Sequence, residues 1–406
     1  MTVHVLGGAQ TDFARVWSRE STEPIWAMLS AVVPAALADA GVDAADVEAG
    51  HVANLAGELF AGQAHLGAML PALDPAWSDL PTSRHEAACA SGGVALLAAA
   101  AEIEAGRYDA VLVVGVEQMR SVAGTEAARH LGSAAWVGRD EIRDGLPWPS
   151  LFEAIAQEVD DRYGLDRDHL TALAVAARER ATHNPSAQTR SWHRSDADFA
   201  ADDQTNPLVT GRMRQSDCGR ITDGAAAVVL AGDAFTERWR RRHRAPAPPH
   251  LAGWGHRTAT LSLADKLAAS RGGPYLFPHL RRAVTEAYDR AGIGGPADLD
   301  VIETHDCFTI TEYVALDHLG ITPPGRNHEA VEDGRIFAGG AVPVNPSGGL
   351  LAAGHPVGAT GVRMLLDLAR QLTGRAEGYQ VEGARRGAML NIGGSAATVV
   401  TAVLAR

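Results

Sequence analysis

The chain has 406 residues, about 2.7 times a typical domain, enough for two or three units and a large core without disulfide or metal staples. Its 49 acidic and 36 basic side chains leave a net charge of −13, the wrong sign for nucleic acid or an anionic membrane as the default partner. Three cysteines, Cys89, Cys218 and Cys307, are an odd and scattered set that reads as free thiols in a reducing compartment.

From the amino terminus, Met1 to Gly8 lacks the basic start and long apolar run of a signal peptide, so a cytoplasmic location is expected. Val3 to Leu6 predicts a strand, residues 25–40 an Ala-rich helix, and Gly50 to Ala53 a short strand. A helix is predicted over Val94 to Ile103, after Ser91-Gly92-Gly93, and Ala110 to Val116 is a nearly pure apolar strand of the kind buried on both faces. The pattern is α/β.

The second half repeats this order. Ala38-Asp39-Ala40-Gly41-Val42 returns as Asp289-Arg290-Ala291-Gly292-Ile293, and Ser91-Gly92-Gly93-Val94 as Ser347-Gly348-Gly349-Leu350, at nearly the same offset. A third pair, the strand after Asp223-Gly224 and the one after Gly393-Gly394, is much closer together, so the first half carries an insertion before that strand. The excess falls between about Glu117 and Ser216, with amphipathic helical stretches near Leu151 to Tyr163 and Arg167 to Arg180. The expected units are residues 1–120 with 217–246, an inserted lid of 121–216, and a second half of 247–406. Val342 to Val362 is uncharged but broken by prolines and glycines, so no membrane helix is expected there. Lys266 is the one lysine of the chain, and no glycine-rich phosphate loop surrounds it.

Three clusters could carry chemistry. His85-Glu86-Ala87-Ala88-Cys89-Ala90-Ser91-Gly92-Gly93 leads straight into a helix, and the small residues permit a tight turn with an open thiol. Cys89 is either a buried structural cysteine or a nucleophile; a helix amino terminus would favour its thiolate, and the turn favours the nucleophile. Gly354-His355-Pro356-Val357-Gly358-Ala359-Thr360-Gly361 holds a histidine in a rigid turn, a loop residue or a base. If the halves pack as pseudo-symmetric copies, His355 faces Cys89. Glu303-Thr304-His305-Asp306-Cys307-Phe308 ends a strand predicted over Leu299 to Ile302, where α/β sheets place ligands. No Cys-x-x-Cys or His-x-x-x-His pair accompanies His305 and Cys307, so no metal is expected. Cys218 reads as structural.

The Cys-Ala-Ser-Gly turn, the Gly-His-Pro-x-Gly-Ala-Thr-Gly turn and Asn391-Ile392-Gly393-Gly394 together resemble the thiolase superfamily, nearly end to end. Many thiolases carry Asn-Glu-Ala-Phe where this chain has His305-Asp306-Cys307-Phe308, and Cys-x-Gly where it has Asn391-Ile392-Gly393. Losing the terminal cysteine while gaining Cys307 is similar to the sterol-carrier-protein-type thiolases. The resemblance implies two βαβαβαββ halves in an α/β/α/β/α arrangement with an inserted helical loop domain. It also implies acyl-CoA C-acyltransfer in lipid or fatty acid metabolism, with coenzyme A and acyl-CoA as substrates and no permanently bound cofactor. Cys89, His305, Cys307 and His355 would be catalytic. His355 would take the Cys89 proton, backbone N–H groups of Cys89 and Gly393 would form the oxyanion hole, and Cys307 would remove the α-proton of the second acyl-CoA. The enolate would rest on His355 and His305. A homodimer or dimer of dimers is implied, with no nucleic acid or membrane partner. Arg178, Arg180, Arg190 and Arg194 could meet CoA phosphates, although a solvated basic face explains any one of them. Two rivals remain: acyl transfer to a non-CoA acceptor with a small zinc-ribbon/OB-fold partner, and a non-catalytic acyl-CoA or lipid-binding protein.

Overall fold

The computed structural model describes residues 1–406. Nine strands form the main sheet: β1 (His4–Gln10), β2 (Ala49–Ala53), β3 (Thr82–His85), β4 (Ala110–Glu117), β5 (Gly224–Ala231), β6 (His250–Thr258), β7 (Val301–Thr304), β8 (Arg386–Gly393) and β9 (Thr398–Ala405). The main helices are α1 (Pro24–Ala40), α2 (Ser91–Glu104), α3 (Gly124–Leu131), α4 (Pro147–Tyr163), α5 (Arg167–Ala181), α6 (Asp233–His243), α7 (Pro278–Ala291), α8 (Thr309–Leu319) and α9 (Thr360–Thr373).

The strand order is β3-β2-β4-β5-β1-β6-β9-β8-β7, and a repeat is written into it, although the counterpart of α2 is α9 rather than the five-residue helix Gly349–Ala353 that the Ser347-Gly348-Gly349 match points to. In the first half β2 pairs in parallel with β3 and β4, β4 runs antiparallel to β5, and β5 antiparallel to β1. In the second half β7 pairs in parallel with β8, β8 antiparallel with β9, and β9 antiparallel with β6. Val344 forms a parallel bridge with Ile302 where a counterpart of β3 would lie. Only His4 and His250 pair across the seam between β1 and β6.

Apolar patterning explains the layers. β4 and β5 are buried along their full length, as expected of strands covered on both faces. Helices α2 and α9 pack against each other and against strands of both halves, forming the middle layer, while α1 and α7 cover the outer faces. Between β4 and β5 lie α3, α4, α5 and a small hairpin of Leu208–Thr210 and Met213–Arg214; between β8 and β9 there is only a short turn. No helix is long and apolar enough to cross a membrane.

Two element boundaries differ from the sequence pattern. β1 continues to Gln10 because Gly7 and Gly8, which blur the apolar signal, pair with Val229 and Val228. β7 covers Val301–Thr304 rather than ending at Ile302, since Glu303 and Thr304 are polar yet fully buried, with Glu303 held by Arg363.

Bare backbone at two glycines positions the turns that matter below. A Cβ on Gly358 would come within 2.6 Å of Ala53 O, so the turn after His355 lies directly on the end of β2. A Cβ on Gly361 would meet Gly93 N at 2.3 Å, where the first turns of α9 and α2 cross. Gly361→Ala is therefore expected to destabilise the fold by about 2 kcal/mol through overpacking, read as a lower urea midpoint with unchanged slope.

Candidate active site

The fold gathers its reactive groups at the carboxyl ends of parallel strands. Cys89 sits in the turn between β3 and α2, His305 and Cys307 between β7 and α8, and His355 in the turn ahead of α9. One ligating atom from each of Cys89, His305 and His355 lies within 4.8 Å of the others. The two imidazoles meet edge to face, with ring centroids 5.2 Å apart. Cys307 lines the same cavity, of about 180 Å³, as Cys89 and His355. The sequence expectation that the two glycine-rich turns face each other describes this arrangement.

The turn around Cys89 is held from within. Ala88 takes a positive φ of 51°, Ser91 Oγ accepts from Ala87 N at 2.9 Å, and it donates to Ala88 O at 2.6 Å. The backbone amides of Gly394 and of Cys89 itself lie in reach of the Cys89 sulfur. Gly393 must be glycine, because a Cβ there would meet Ala87 O at 2.2 Å.

Hydrogen-bond partners assign the two histidine tautomers. Thr360 Oγ1 donates its one hydrogen to Pro356 O at 3.0 Å, so it can only accept from His355 Nδ1–H, at 2.7 Å. The other nitrogen, Nε2, is then a bare lone pair, and it is buried without a protein partner. His305 is opposite. Its Nδ1 accepts from Ile392 N at 3.4 Å, with Asn391 Nδ2 at 3.5 Å, which leaves the proton on Nε2. One ring offers a base and the other a donor. A divalent cation would need a lone pair from both, so the pair is set for proton transfer rather than for ligation.

Burial dominates the titration of the site. It pushes the Cys89 thiol up to about 12 and His355 down to about 3, with Arg363 adding to the latter. His305 is held well below its ordinary value by burial, then by His355 and Arg363. Cys307 is raised well above its ordinary value by burial and by the neighbouring Cys89. The expectation that the helix amino terminus favours a resting thiolate is corrected here. Cys89 lies two residues ahead of α2, and the loss of water outweighs what the nearby amides supply. The pair rests as neutral thiol and neutral imidazole.

Further buried polar groups hold the machinery. Asn391 donates to Cys89 O at 3.0 Å and accepts from Gly93 N at 3.2 Å, tying β8 to the nucleophile turn. Thr222 Oγ1 accepts from His355 N at 2.9 Å. Glu117 accepts from the amides of Leu55, Ala56 and Gly358 and from Asn54 Nδ2, and burial lifts it to about 7. Arg363 bridges Glu303, Ser347 and Asp367. Asp306, raised to about 8 by burial and then by Glu312, accepts from Leu350 N and Leu351 N. None of these was given a role from sequence, although Glu303, Asp306, Ser347 and Asn391 stand in the motifs quoted above; the hydrogen bonds of Asn391 to the nucleophile turn run to residues about three hundred positions away.

The four insertion arginines separate. Arg180 is spent on Val344 O and Ile336 O, Arg190 pairs with Asp12, and Arg194 lies 3.9 Å from Glu179. The Arg178 side chain has neither an ion pair nor a hydrogen-bond partner, and it stands over Trp192 with Arg220, also without an ion pair, whose guanidinium carbon is 5.6 Å from that ring. These residues line a basin of about 220 Å³ that shares Cys218 and Arg220 with the cavity around Cys89. Cys218, read as structural, is therefore part of the wall between the two, its thiol donating to Arg214 O at 3.4 Å.

Residues 3–234 match the thiolase N-terminal domain and residues 263–406 the thiolase C-terminal domain-like model. The chain belongs to the thiolase family, whose members act on CoA thioesters without a permanent cofactor. It is similar to an acetyl-CoA acetyltransferase of Methanothermobacter thermautotrophicus, 33% identical over 406 residues and covering 100% of this chain and 99% of that one. Sterol carrier protein 2 of Gallus gallus is 28% identical, over 98% of this chain and 71% of its own length. The benzoylsuccinyl-CoA thiolase subunit BbsB of Thauera aromatica is 28% identical, over 78% of this chain and 77% of its own. Among solved structures, an Ltp2-ChsH2(DUF35) aldolase shares the fold, with a TM-score of 0.77, 19% identity and coverage of 100% of this chain and 97% of that one.

Two predictions follow from the protonation states. Alkylation of Cys89 by iodoacetamide, followed by peptide mass spectrometry, is expected to rise about tenfold per pH unit from about pH 7 to 9, without a plateau. A plateau below neutral pH would mean a resting thiolate. Thr360→Val, which removes the acceptor for His355 Nδ1–H, should lower kcat by at least about tenfold, with Thr360→Ser restoring it.

Proposed function

We propose that this thiolase transfers acyl groups between CoA thioesters through a covalent acyl-enzyme on Cys89. The observation that carries the reading is the thiol beside the unpartnered His355 Nε2, inside an apolar cavity. His355 Nε2 takes the Cys89 proton as the sulfur attacks the thioester carbonyl; the C–S bond to CoA breaks, and CoA leaves with a proton returned from His355. Amides of Cys89 and Gly393, joined by that of Gly394, hold the oxyanion, each such donor typically contributing ~3 kcal/mol.

In the second half-reaction the Cys307 thiol first passes its proton to His355 Nε2 and, as the thiolate, removes the α-proton of a second acyl-CoA, while His305 Nε2–H and the protonated His355 hold the enolate oxygen. The enolate carbon attacks the Cys89 thioester, the C–S bond to Cys89 breaks, and His355 returns its proton to the Cys89 sulfur, leaving a 3-oxoacyl-CoA and free thiols; thiolysis is the reverse. Because Cys89 raises the Cys307 thiol, the two are not ionised together, which supports their acting in turn. Residues 121–216 serve as the lid. The basin of Arg178, Trp192 and Arg220 supports binding of the CoA phosphates and adenine there, since two unpaired guanidiniums over an indole suit an anion with an aromatic base.

A second copy of the chain is the partner we assign. β3 is the edge strand of the sheet, partly exposed, and leads directly to Cys89, so pairing across that edge would cover it. The rival with a zinc-ribbon/OB-fold partner is separated by assay: acetoacetyl-CoA should be cleaved by the chain and CoA alone.

Cys89→Ala should abolish the acyl adduct seen by intact-protein mass spectrometry after incubation with an acyl-CoA. Cys307→Ala should leave that adduct and remove thiolysis and condensation. Loss of both half-reactions in Cys307→Ala would refute the division of labour.

A further inference from the structure

The space around the nucleophile is small and mostly apolar. Its volume is about 180 Å³, and its walls are Met119, Leu131, Trp148, Phe152, Phe308 and Val357 in addition to the reactive groups. Trp148 donates its indole N–H outward to Leu131 O at 3.0 Å, leaving the rest of the ring as apolar wall. Phe152 and Phe308 stack with centroids 4.3 Å apart, and Trp148 tilts against Phe152 at 6.3 Å. Polar atoms reach the cavity mainly at Cys89, Cys307 and His355.

An apolar cavity of about 150 Å³ holds one benzene molecule. The volume here is only slightly larger, and part of it must pass the thioester. The acyl group on Cys89 therefore has room for about one six-membered ring. Phe152 and Phe308 belong to the main core cluster, so the walls cannot withdraw cheaply for a longer chain. Cys218 and Arg220, shared with the basin of Arg178 and Trp192, mark the side from which CoA arrives.

We propose that the acyl group this enzyme transfers is compact and ring-bearing, of benzoyl or cyclohexanecarbonyl size, and that long fatty acyl and fused-ring steroid acyl groups are excluded. This rests on the acyl-enzyme reading above. It narrows the substrate to a class that the reaction type does not specify. Offset or edge-to-face contact with Trp148, Phe152 and Phe308 favours an aromatic ring over an open chain of equal carbon number.

The test is the rate of Cys89 acylation, by intact mass, when the full chain meets acetyl-, benzoyl-, octanoyl- or palmitoyl-CoA. Benzoyl transfer is expected to exceed octanoyl by about tenfold or more, with palmitoyl giving no adduct. Phe152→Leu should raise the octanoyl-to-benzoyl ratio, and Ala128→Leu, which fills the cavity from α3, should lower the benzoyl-to-acetyl ratio. Octanoyl or palmitoyl transfer as fast as benzoyl, or acetyl transfer more than about tenfold faster, overturns the inference while leaving the acyl-enzyme intact. If no donor acylates Cys89, the acyl-enzyme reading itself falls. Calorimetry on Cys89→Ala then decides the cavity: benzoyl-CoA binding more tightly than octanoyl-CoA supports it, and equal or reversed affinity refutes it.

Discussion

The chemistry of this site depends on two imidazoles locked in opposite tautomers. Two histidines 5.2 Å apart in a buried cleft could be interchangeable bases or a pair of metal ligands. What separates them is one hydroxyl and one amide. The single hydrogen of Thr360 is used on Pro356 O, which makes His355 donate through Nδ1, and the Ile392 amide makes His305 accept through Nδ1. The cleft therefore receives one lone pair and one N–H. Because burial and Arg363 hold both rings neutral, this asymmetry persists across the physiological pH range.

A neutral resting pair follows from the same burial. Desolvation raises the Cys89 thiol and lowers the His355 imidazole, so a thiolate–imidazolium pair is disfavoured at rest. In the proposed mechanism the charge passes to an oxygen held by amides, which would tie ionisation to the arrival of a thioester. Such a design limits side reactions of the nucleophile. It also assigns real weight to the groups that fix geometry, since nothing electrostatic holds Cys89 and His355 together at rest.

That geometry comes from the duplication. The Cys89 turn and the His355 turn are the entrances to α2 and α9, corresponding helices of the two halves, and their first turns cross at Gly93 and Gly361 with no room for a side chain. Repetition explains why a large part was readable from sequence. Cys89, His355, His305 and Cys307 sit in short segments whose residue types are dictated locally by tight turns and strand ends, and the topology of β1 to β5 recurs in β6 to β9. What sequence does not carry is partnership across the seam. Asn391 reads as a missing cysteine until its amide is seen between Cys89 O and Gly93 N, and Arg220 is one arginine among many until it stands unpaired over Trp192. The thiol's protonation was misjudged because helix position is local, whereas burial is a property of the assembled halves.

Local charge also resolves an apparent mismatch between an acidic protein and a polyanionic substrate. The net charge of −13 is spread over a surface where most arginines are already paired with carboxylates, as Arg190 is with Asp12 and Arg212 with Asp160. Such pairs contribute little to the field at a distance. Arg178 and Arg220 differ, since neither is in an ion pair; burial and then the Arg220 charge hold Arg178 below its ordinary value, against the opposing pull of Asp198 in the same basin. Under the proposed function, CoA phosphates at this basin would meet two guanidiniums beside the cavity that receives the thioester.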